Sequence, residues 1–201
     1  MAAGEGRRLR PVTERRPKPI LPIDGRPVIG ALLRELAAAG AEAVFVVTGY
    51  LAEQVEGLLG DGAGFGLELR YVRQPRPDGS ADTVRRALSA GAELPLLVSG
   101  ADTLFVQGDL ARFARTFGTL DAAGALAVRR DGSAAPLWGL GPMLAPFLED
   151  LPGPPYELLE AWRRAAAAGE ELREIEVGPT RDLTHPLDLV NENFPYLTAY
   201  E

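Results

Sequence analysis

Apolar residues recur at two spacings along this chain, and the two spacings predict alternating helices and strands. From Pro27 the apolar positions follow helical spacing until Gly40, a residue typical of helix C-termini. A continuous apolar run at 43–47 has the length of a buried strand. The same patterns predict further helices at 51–59, 80–88, about 109–117, about 155–168 and after residue 182, and strands at 67–72, 94–98, about 123–129, near Trp138 and at 172–177.

This alternation predicts an α/β fold of three layers, α/β/α, around a mostly parallel but mixed sheet. The chain has 201 residues, 46% of them apolar, and no Gly/Ser-rich or Pro-rich linker of useful length. We therefore predict one domain over residues 1–201. In sheets of this kind, ligands bind beyond the carboxyl ends of the strands.

The amino terminus is short for such a sheet. A glycine-rich turn normally follows a buried strand, yet only Met1, Ala2 and Ala3 precede Gly4. We expect a truncated first strand, and we favour a start about five residues further upstream. A natural variant that closes its sheet without this strand is the alternative.

Charge and composition narrow the classes of ligand. The net charge of −7 argues against general nucleic-acid binding, whereas arginines and the only lysine, Lys18, cluster in the first 26 residues. A cluster of cationic residues on an otherwise acidic protein is suited to binding a small polyanion. The chain has no cysteine, no charged-then-apolar leader and no long apolar run, so we expect a cytoplasmic protein without a membrane partner. The oligomeric state stays open.

The opening segment carries the strongest motif. Gly4-Glu5-Gly6-Arg7-Arg8-Leu9 is a glycine-rich turn that lets backbone N–H groups approach phosphates, and Lys18 follows between two prolines. A compact ammonium in a stiff loop supplies a fixed point charge for phosphate.

From Met1 to Thr13 and from Arg16 to Ile23, the chain resembles the signature of the sugar-1-phosphate nucleotidylyltransferases. Further matching segments occur in the family's order at 49–55, 74–82, 99–103 and 182–189. The resemblance implies attack by a sugar phosphate oxygen on the α-phosphorus of a nucleoside triphosphate, with release of pyrophosphate. Two anions must meet in this reaction, so charge neutralisation and positioning carry the catalysis.

The resemblance also implies roles for single residues. Arg8 would clamp the triphosphate, and Lys18 would lie between the two reacting phosphates. Asp102 follows a buried strand and Asp182 comes from a late loop, and together they would hold one Mg²⁺. Ala101 departs from the family pattern before Asp102 and is closer to the molybdopterin-type enzymes.

The nucleotide contacts are expected from two loops. The residues implied are Ala2, Ala3, Gly4 and Gly6 through their backbone, Gln74 through an amide that can read a base, and Gly79 and Ser80 through the N–H end of a helix. The sequence around Gln74 is most similar to thymidylyl- and uridylyltransferases, which favours a pyrimidine.

The acceptor side departs from the family. Its usual Glu-x-Lys-Pro element is absent, so Arg129 is the candidate replacement, and Trp138 with Gly139 is the candidate acceptor strand. A non-sugar acceptor such as molybdopterin, phosphocholine or an inositol phosphate remains an alternative, as does a nucleotide-binding or regulatory protein without turnover. His185, the only histidine, is interpreted as structural.

Overall fold

The computed structural model describes residues 1–194, and residues 195–201 of the predicted domain lie outside the described part. The helices are α1 Val28–Ala38, α2 Ala52–Leu59, α3 Ser80–Ser89, α4 Asp109–Thr119, α5 Ala145–Glu149, α6 Leu158–Ala167 and α7 Pro186–Asn193. The strands are β1 Pro22–Ile23, β2 Arg26–Pro27, β3 Ala43–Thr48, β4 Glu68–Arg73, β5 Leu96–Ser99, β6 Thr103–Leu104, β7 Gly124–Val128, β8 Ala134–Leu140, β9 Leu172–Glu176 and β10 Arg181–Asp182.

The elements predicted from apolar spacing are present, with ends within a few residues of those expected. Helix α1 ends before Gly40, whose φ of 92° is the left-handed conformation that favours glycine. Three features were not predicted, namely the β1–β2 hairpin, the β6–β10 pair and α5. Two-residue strands have no hydrophobic period of their own, so only their tertiary partners define them.

The sheet is mixed, as predicted. Strands β3 and β4 pair in parallel, and a second group runs in the order β5-β8-β7-β9. Strand β8 is antiparallel to both β5 and β7, whereas β7 and β9 are parallel. Helices α1, α2 and α4 pack on one face, and α3, α5 and α6 pack on the other, which gives the three expected layers.

The first three residues lie between the two groups of strands. The N–H of Ala2 donates to the carbonyl of Val47 at 2.8 Å. On the opposite side the amino group of Met1 donates to the carbonyl of Ser99 at 2.8 Å, and the carbonyl of Met1 accepts from the N–H of Ala101 at 2.9 Å. These bonds follow the pattern of parallel ladders, so the segment joins the ends of β3 and β5.

Ahead of Met1 a slot continues between β3 and β5. This slot is a cavity of about 670 Å³. Leu32, Leu33 and Leu36 of α1 line one face, and Val84 and Ala87 of α3 line the other. The slot therefore has helix side chains above and below and a strand edge on each side. None of the helices in residues 1–194 combines the length and apolar character needed to cross a bilayer.

Candidate active site

The glycine-rich turn has the shape that its sequence predicts. Gly6 has a φ of 61° and precedes a 3₁₀ turn at Arg7–Leu9. A Cβ at Gly6 would lie 3.0 Å from Cγ2 of Thr13, whose hydroxyl donates to the carbonyl of Gly6 at 2.9 Å. Gly4 has open space around its Cα, so a ligand can approach the backbone there. A side chain at Gly6 would strain the turn, and one at Gly4 would cover an accessible backbone.

A cavity of about 290 Å³ opens against this turn, and we call it the loop cavity. Six of the residues predicted from sequence line it: Ala2, Gly4, Gly6, Arg8, Lys18 and Asp102. They come from residues 2–8, from Lys18 in the following loop and from Asp102, which is distant from both in the sequence. The fold thus brings the glycine-rich turn, the lysine and one of the two predicted metal-binding carboxylates to one place.

Lys18 and Asp102 form an ion pair at the floor of the loop cavity. Their side chains are 16% and 33% exposed, so the pair is partly shielded from water. Pro17 and Pro19 flank the lysine, and a 3₁₀ turn spans Lys18–Ile20. A buried base of apolar residues, including Leu9 and Leu21, supports this turn. The loop therefore holds the ammonium at a fixed position.

Arg8 differs from the arginines beside it. Arg7 donates to Glu5 at 2.7 Å, and Arg10 lies 3.6 Å from the same carboxylate. Arg7 and Arg8 are both exposed and both line the loop cavity, but Arg8 has no ion-pair partner among residues 1–194. Because Glu5 contacts Arg7 and Arg10, Arg8 is the arginine of this turn that is available to an anion in the cavity.

Asp182 lies beside the loop cavity on strand β10. This strand pairs antiparallel with β6, which places Asp182 opposite Thr103, the residue after Asp102. The hydroxyl of Thr103 donates to Asp182 Oδ1 at 2.5 Å. Thr180 and Arg129 donate to Oδ2 at 2.7 and 3.0 Å. Asp102 directly precedes β6 and Asp182 is the last residue of β10, so the two predicted metal-binding carboxylates belong to the same end of this antiparallel pair.

These two carboxylates suit Mg²⁺ in number and type. No group of three or more acidic, histidine or cysteine side chains suitable for a metal occurs in the described residues. Mg²⁺ commonly keeps several waters and takes only one or two protein carboxylates, with substrate phosphates supplying the rest. A pair of carboxylates next to a phosphate cavity fits that pattern, although Lys18 and Arg129 already contact Asp102 and Asp182.

Gln74 points inward. It is 4% exposed, and its amide nitrogen donates to the carbonyl of Gly79 at 3.0 Å and to Asp82 at 2.9 Å. Its amide oxygen accepts from Thr83 at 3.3 Å. Because both ends of the amide are bonded within the protein, this conformation gives no support to base reading by its side chain, which stays a prediction.

The same hydrogen-bond network stabilises the carboxylate form of Asp82. Burial raises the pKa of its carboxyl, but hydrogen bonds from Gln74 and Arg86 and the nearby guanidinium charges outweigh burial. The net result is a pKa below the ordinary value. The carboxylate form is therefore the one that holds the start of α3 to the loop before it.

Gly79 and Ser80 are also bonded within the protein, against the segment 156–158. A Cβ at Gly79 would lie 2.2 Å from the carbonyl oxygen of Tyr156. The hydroxyl of Ser80 donates to Glu157 at 2.5 Å and accepts from the N–H of Leu158 at 2.8 Å. Sequence reasoning missed this partner segment, since nothing local signals a contact almost eighty residues away.

The acceptor candidates lie in different places. Arg129 donates to Thr180, to the carbonyl of Ala134 and to Asp182. Trp138 packs among the core residues under α3, α5 and α6, and a Cβ at Gly139 would lie 2.6 Å from the ring of Phe117. The structure thus places Trp138 and Gly139 in core layers rather than at the loop cavity, and their acceptor role stays a prediction.

The backbone of Ala3 is held by the segment that follows β3. The carbonyl of Ala3 accepts from the N–H of Tyr50 at 3.2 Å. Gly49 allows this approach, because a Cβ there would lie 2.8 Å from the carbonyl oxygen of Ala3.

His185 lies directly before α7, and its N–H donates to Asp188 at 2.7 Å. The structural interpretation of His185 agrees with this position.

Comparison with known protein families gives one match over most of the chain. The family model described as "Nucleotidyl transferase" matches residues 1–140. This range includes the glycine-rich turn, Lys18 and Asp102, and ends before Asp182.

Curated relatives match shorter segments. An N-acetylmuramate alpha-1-phosphate uridylyltransferase of Neisseria meningitidis is 39% identical over 110 residues, which is 55% of this chain and 45% of that protein. A mannose-1-phosphate guanylyltransferase of Mycobacterium tuberculosis is 42% identical over 80 residues, 40% of this chain and 22% of that protein. A glucose-1-phosphate thymidylyltransferase of Streptomyces antibioticus is 35% identical over 117 residues, 58% of this chain and 33% of that protein. The matches thus span less than half the length of these relatives.

Solved structures match over nearly the whole chain. A UDP-glucose pyrophosphorylase complexed with UDP-glucose has a TM-score of 0.79 at 19% identity, covering 98% of this chain and 97% of the other. A Bacillus anthracis protein assigned as a glucose-1-phosphate thymidylyltransferase, in complex with sucrose, has a TM-score of 0.85 at 17% identity, covering 96% and 91%. At these identities the likeness establishes the fold.

Proposed function

Because the chain belongs to the nucleotidyl transferase family, we propose that it transfers a nucleoside monophosphate from a nucleoside triphosphate to a sugar 1-phosphate. An oxygen of the sugar phosphate attacks the α-phosphorus, and the bond from that phosphorus to the bridging oxygen breaks. Pyrophosphate leaves with the electron pair, and the product is a nucleotide sugar. The single observation that carries the proposal is the convergence of Arg8, Lys18 and Asp102 on the loop cavity.

The cations of the loop cavity have separable roles. Arg8 binds the triphosphate against the backbone N–H groups of the glycine-rich turn, since it is exposed to the cavity and not held by Glu5. Lys18 lies deeper and stabilises the charge that develops on the α-phosphoryl oxygens. Because the prolines hold this ammonium in place, little reorganisation is needed as the charge develops.

We propose Asp102 and Asp182 as the ligands of Mg²⁺. The bound ion would neutralise phosphate charge and draw electron density from the reacting phosphoryl group. Thr103, Thr180 and Arg129 orient the Asp182 carboxylate. Lys18 holds the Asp102 carboxylate, so this pair couples the position of the cation to that of the proposed metal ligand.

The base and the acceptor are proposed from the relatives. Their printed names include uridylyl-, thymidylyl- and guanylyltransferases acting on sugar 1-phosphates. We propose a pyrimidine triphosphate, because the segment around Gln74 resembles the uridylyl- and thymidylyltransferases. The acceptor is proposed to be a sugar 1-phosphate because each of these three names contains one.

The test is a matrix of reactions with Mg²⁺. Each of ATP, GTP, CTP, UTP and dTTP is combined with glucose, mannose and N-acetylmuramate 1-phosphates, phosphocholine, an inositol phosphate and molybdopterin. Pyrophosphate release is measured, and mass spectrometry identifies the second product. We expect a nucleotide sugar from one pyrimidine triphosphate, and loss of the signal in chelator.

Other outcomes of the matrix are equally informative. A product formed only with phosphocholine, inositol phosphate or molybdopterin would reject the sugar acceptor and retain nucleotidyl transfer. Nucleotide binding without pyrophosphate release from any pair would support a binding protein without turnover. Full activity in chelator would reject the proposed metal role of Asp102 and Asp182.

A further inference from the structure

The segment 49–55, where β3 ends and α2 begins, has no part in the chemistry proposed for the loop cavity. None of its residues lines that cavity. Two of them, Tyr50 and Gln54, nevertheless donate hydrogen bonds to the chain on both sides of the glycine-rich turn. These contacts suggest that the segment determines where the turn lies.

Tyr50 contacts the chain before the turn and the chain after it. Its backbone N–H donates to the carbonyl of Ala3 at 3.2 Å, and Ala3 directly precedes Gly4. Its side-chain hydroxyl donates to the carbonyl of Glu14 at 3.1 Å, five residues after Leu9. One residue therefore holds both ends of the loop that carries Arg7 and Arg8.

Gln54 strengthens the second of these contacts. Its amide nitrogen donates to the carbonyl of Arg15 at 3.0 Å, directly after the carbonyl that Tyr50 binds. Buried Thr13 lies next to this point, and its hydroxyl donates to the carbonyl of Gly6 at 2.9 Å. A displacement of residues 14–15 would therefore be passed through Thr13 to the glycine-rich turn.

The backbone between the two donors has an unfavourable conformation. Leu51 has a φ of 48° and a ψ of 39°, the left-handed region that residues with a Cβ rarely adopt. Helix α2 begins at the next residue, so this turn of the backbone lets a helix start directly after Tyr50. Such conformations persist where the surrounding structure requires them, and they cluster at functional sites.

The two side-chain hydrogen bonds are suited to positioning rather than to global stability. Both are exposed to solvent, so water competes for the same donors and acceptors and the net gain in folding free energy is small. Residues 14–16 are exposed as well, so little packing restrains them. A bond that selects one position of such a segment changes the order of the loop more than the stability of the fold.

We propose that Tyr50, supported by Gln54, is a positioning residue that holds the glycine-rich turn, and through it Arg8, in the arrangement that binds the triphosphate. Tyr50 acts without touching the ligand, because a turn that is already ordered loses less conformational freedom on binding. The proposal rests on the proposed function for the identity of the ligand. The positioning itself is a property of the free protein and is tested without turnover.

The first test is amide hydrogen exchange of the free protein. Tyr50→Phe removes the hydroxyl and keeps the ring. Tyr71→Phe is the matched control, because the hydroxyl of Tyr71 donates to the carbonyl of Gly60 at 2.6 Å, beyond the other end of α2. We expect exchange at the amides of Leu9 and Arg10 to rise about fivefold in Tyr50→Phe and to stay unchanged in Tyr71→Phe. Unchanged exchange at these amides in Tyr50→Phe, or an equal rise in both variants, would overturn the proposal.

The second test is calorimetric binding of ATP, GTP, CTP, UTP and dTTP with Mg²⁺ and without an acceptor. For the nucleotide that the unaltered chain binds, the Kd should rise about fivefold in Tyr50→Phe. It should rise about 25-fold when Gln54→Leu is added, if the two bonds act independently. Gln107→Leu, at an exposed glutamine before α4, is the control and should leave the Kd unchanged. Equal affinity of the unaltered chain and the double variant would overturn the proposal, whereas no binding by the unaltered chain would reject the proposed function and leave the exchange result to decide the positioning role.

A double-mutant cycle tests whether Tyr50 acts through Arg8. Tyr50→Phe should lower turnover about fivefold in the chain that contains Arg8, and less than about twofold in the Arg8→Ala chain. A residue with a merely structural role would lower turnover by the same factor in both chains. That equal factor would overturn the assignment of Tyr50 as a positioning residue for Arg8.

Discussion

The two cavities that meet at Met1 differ in size and in lining. The slot measures about 670 Å³ and is bounded mainly by apolar side chains and strand edges. The loop cavity measures about 290 Å³ and is bounded by Arg8, Lys18, Asp102 and the glycine-rich turn. A large apolar pocket is the usual first candidate for a ligand site. In this molecule the smaller cavity holds the groups that phosphate chemistry needs, so lining is the better guide to function than volume.

The largest expected effect is the loss of Lys18, the partly buried cation of the loop cavity. Lys18→Ala should lower turnover by roughly 10²–10³, the usual cost of removing one contact to transition-state charge. Arg16→Ala is the matched control, because Arg16 is an exposed cation of the same loop that does not line the cavity. Steady-state pyrophosphate release measures both. Equal turnover in the two variants would mean that Lys18 does not stabilise the transition state.

Arg8 provides the second comparison. Arg8→Ala should lower turnover about 10²-fold, since this guanidinium is free to bind the triphosphate. Arg7→Ala should leave turnover within a few-fold, because Arg7 is paired with Glu5. Both residues are exposed, so neither change should unfold the protein. A larger loss in Arg7→Ala than in Arg8→Ala would mean that the turn presents the other arginine.

These residues show how much of the site could be predicted. The glycine-rich turn, Lys18 and Asp102 were predicted because their motif is contiguous or directly follows a strand, and the fold brings them to one cavity. The pairing that positions Asp182 could not be predicted, because β6 and β10 are two residues long and lie far apart in sequence. Only tertiary structure defines such a pair.

The fold also divides into features that the sequence predicts and features that only tertiary structure defines. Periodicity predicted α1, β3 and α3, since each buries a regular apolar face. The inward turn of Gln74 could not be predicted, because an amide after a strand can face either a ligand or the buried Asp82. The position of Met1 and Ala2 between β3 and β5 could not be predicted, because three residues have no hydrophobic period and only their tertiary partners define their pairing.

The third prediction concerns the slot and is smaller in free energy. Burial lowers the pKa of the Met1 amino group from 8.0 to about 6, and the carboxylate of Asp102 opposes this shift only in part. Between pH 8 and pH 6 the unfolded chain therefore binds more protons than the folded chain. For a chain that begins at Met1, the free energy of unfolding should fall by about 2–3 kcal/mol as the pH falls through this window.

Denaturant titrations at pH 8, 7 and 6 measure this dependence. An N-acetylated chain is the matched control, because acetylation removes the charge while the slot is otherwise kept. The acetylated chain should lack this contribution to the pH dependence. Identical pH dependence in the acetylated and free chains would show that the Met1 amino group is not buried as described.

The smallest expected effect concerns the loop beside α3. Ser80→Ala removes the hydroxyl that bonds Glu157 and the N–H of Leu158, and should lower the free energy of unfolding by about 1 kcal/mol. Ser89→Ala, at the exposed end of the same helix, should change it by less than about 0.5 kcal/mol. Urea titration compares the two. A loss in Ser80→Ala no larger than in Ser89→Ala would mean that the contact with 156–158 contributes little.

The most direct test of the contrast between the two cavities is amide hydrogen exchange with and without UTP and Mg²⁺. The account predicts slower exchange across residues 4–9, where the glycine-rich turn meets the triphosphate, and no change at the amides of Phe45 and Leu97, two residues that line the slot. Protection of the amides of Phe45 and Leu97 without protection of residues 4–9 would contradict it, because the nucleotide would then occupy the larger cavity.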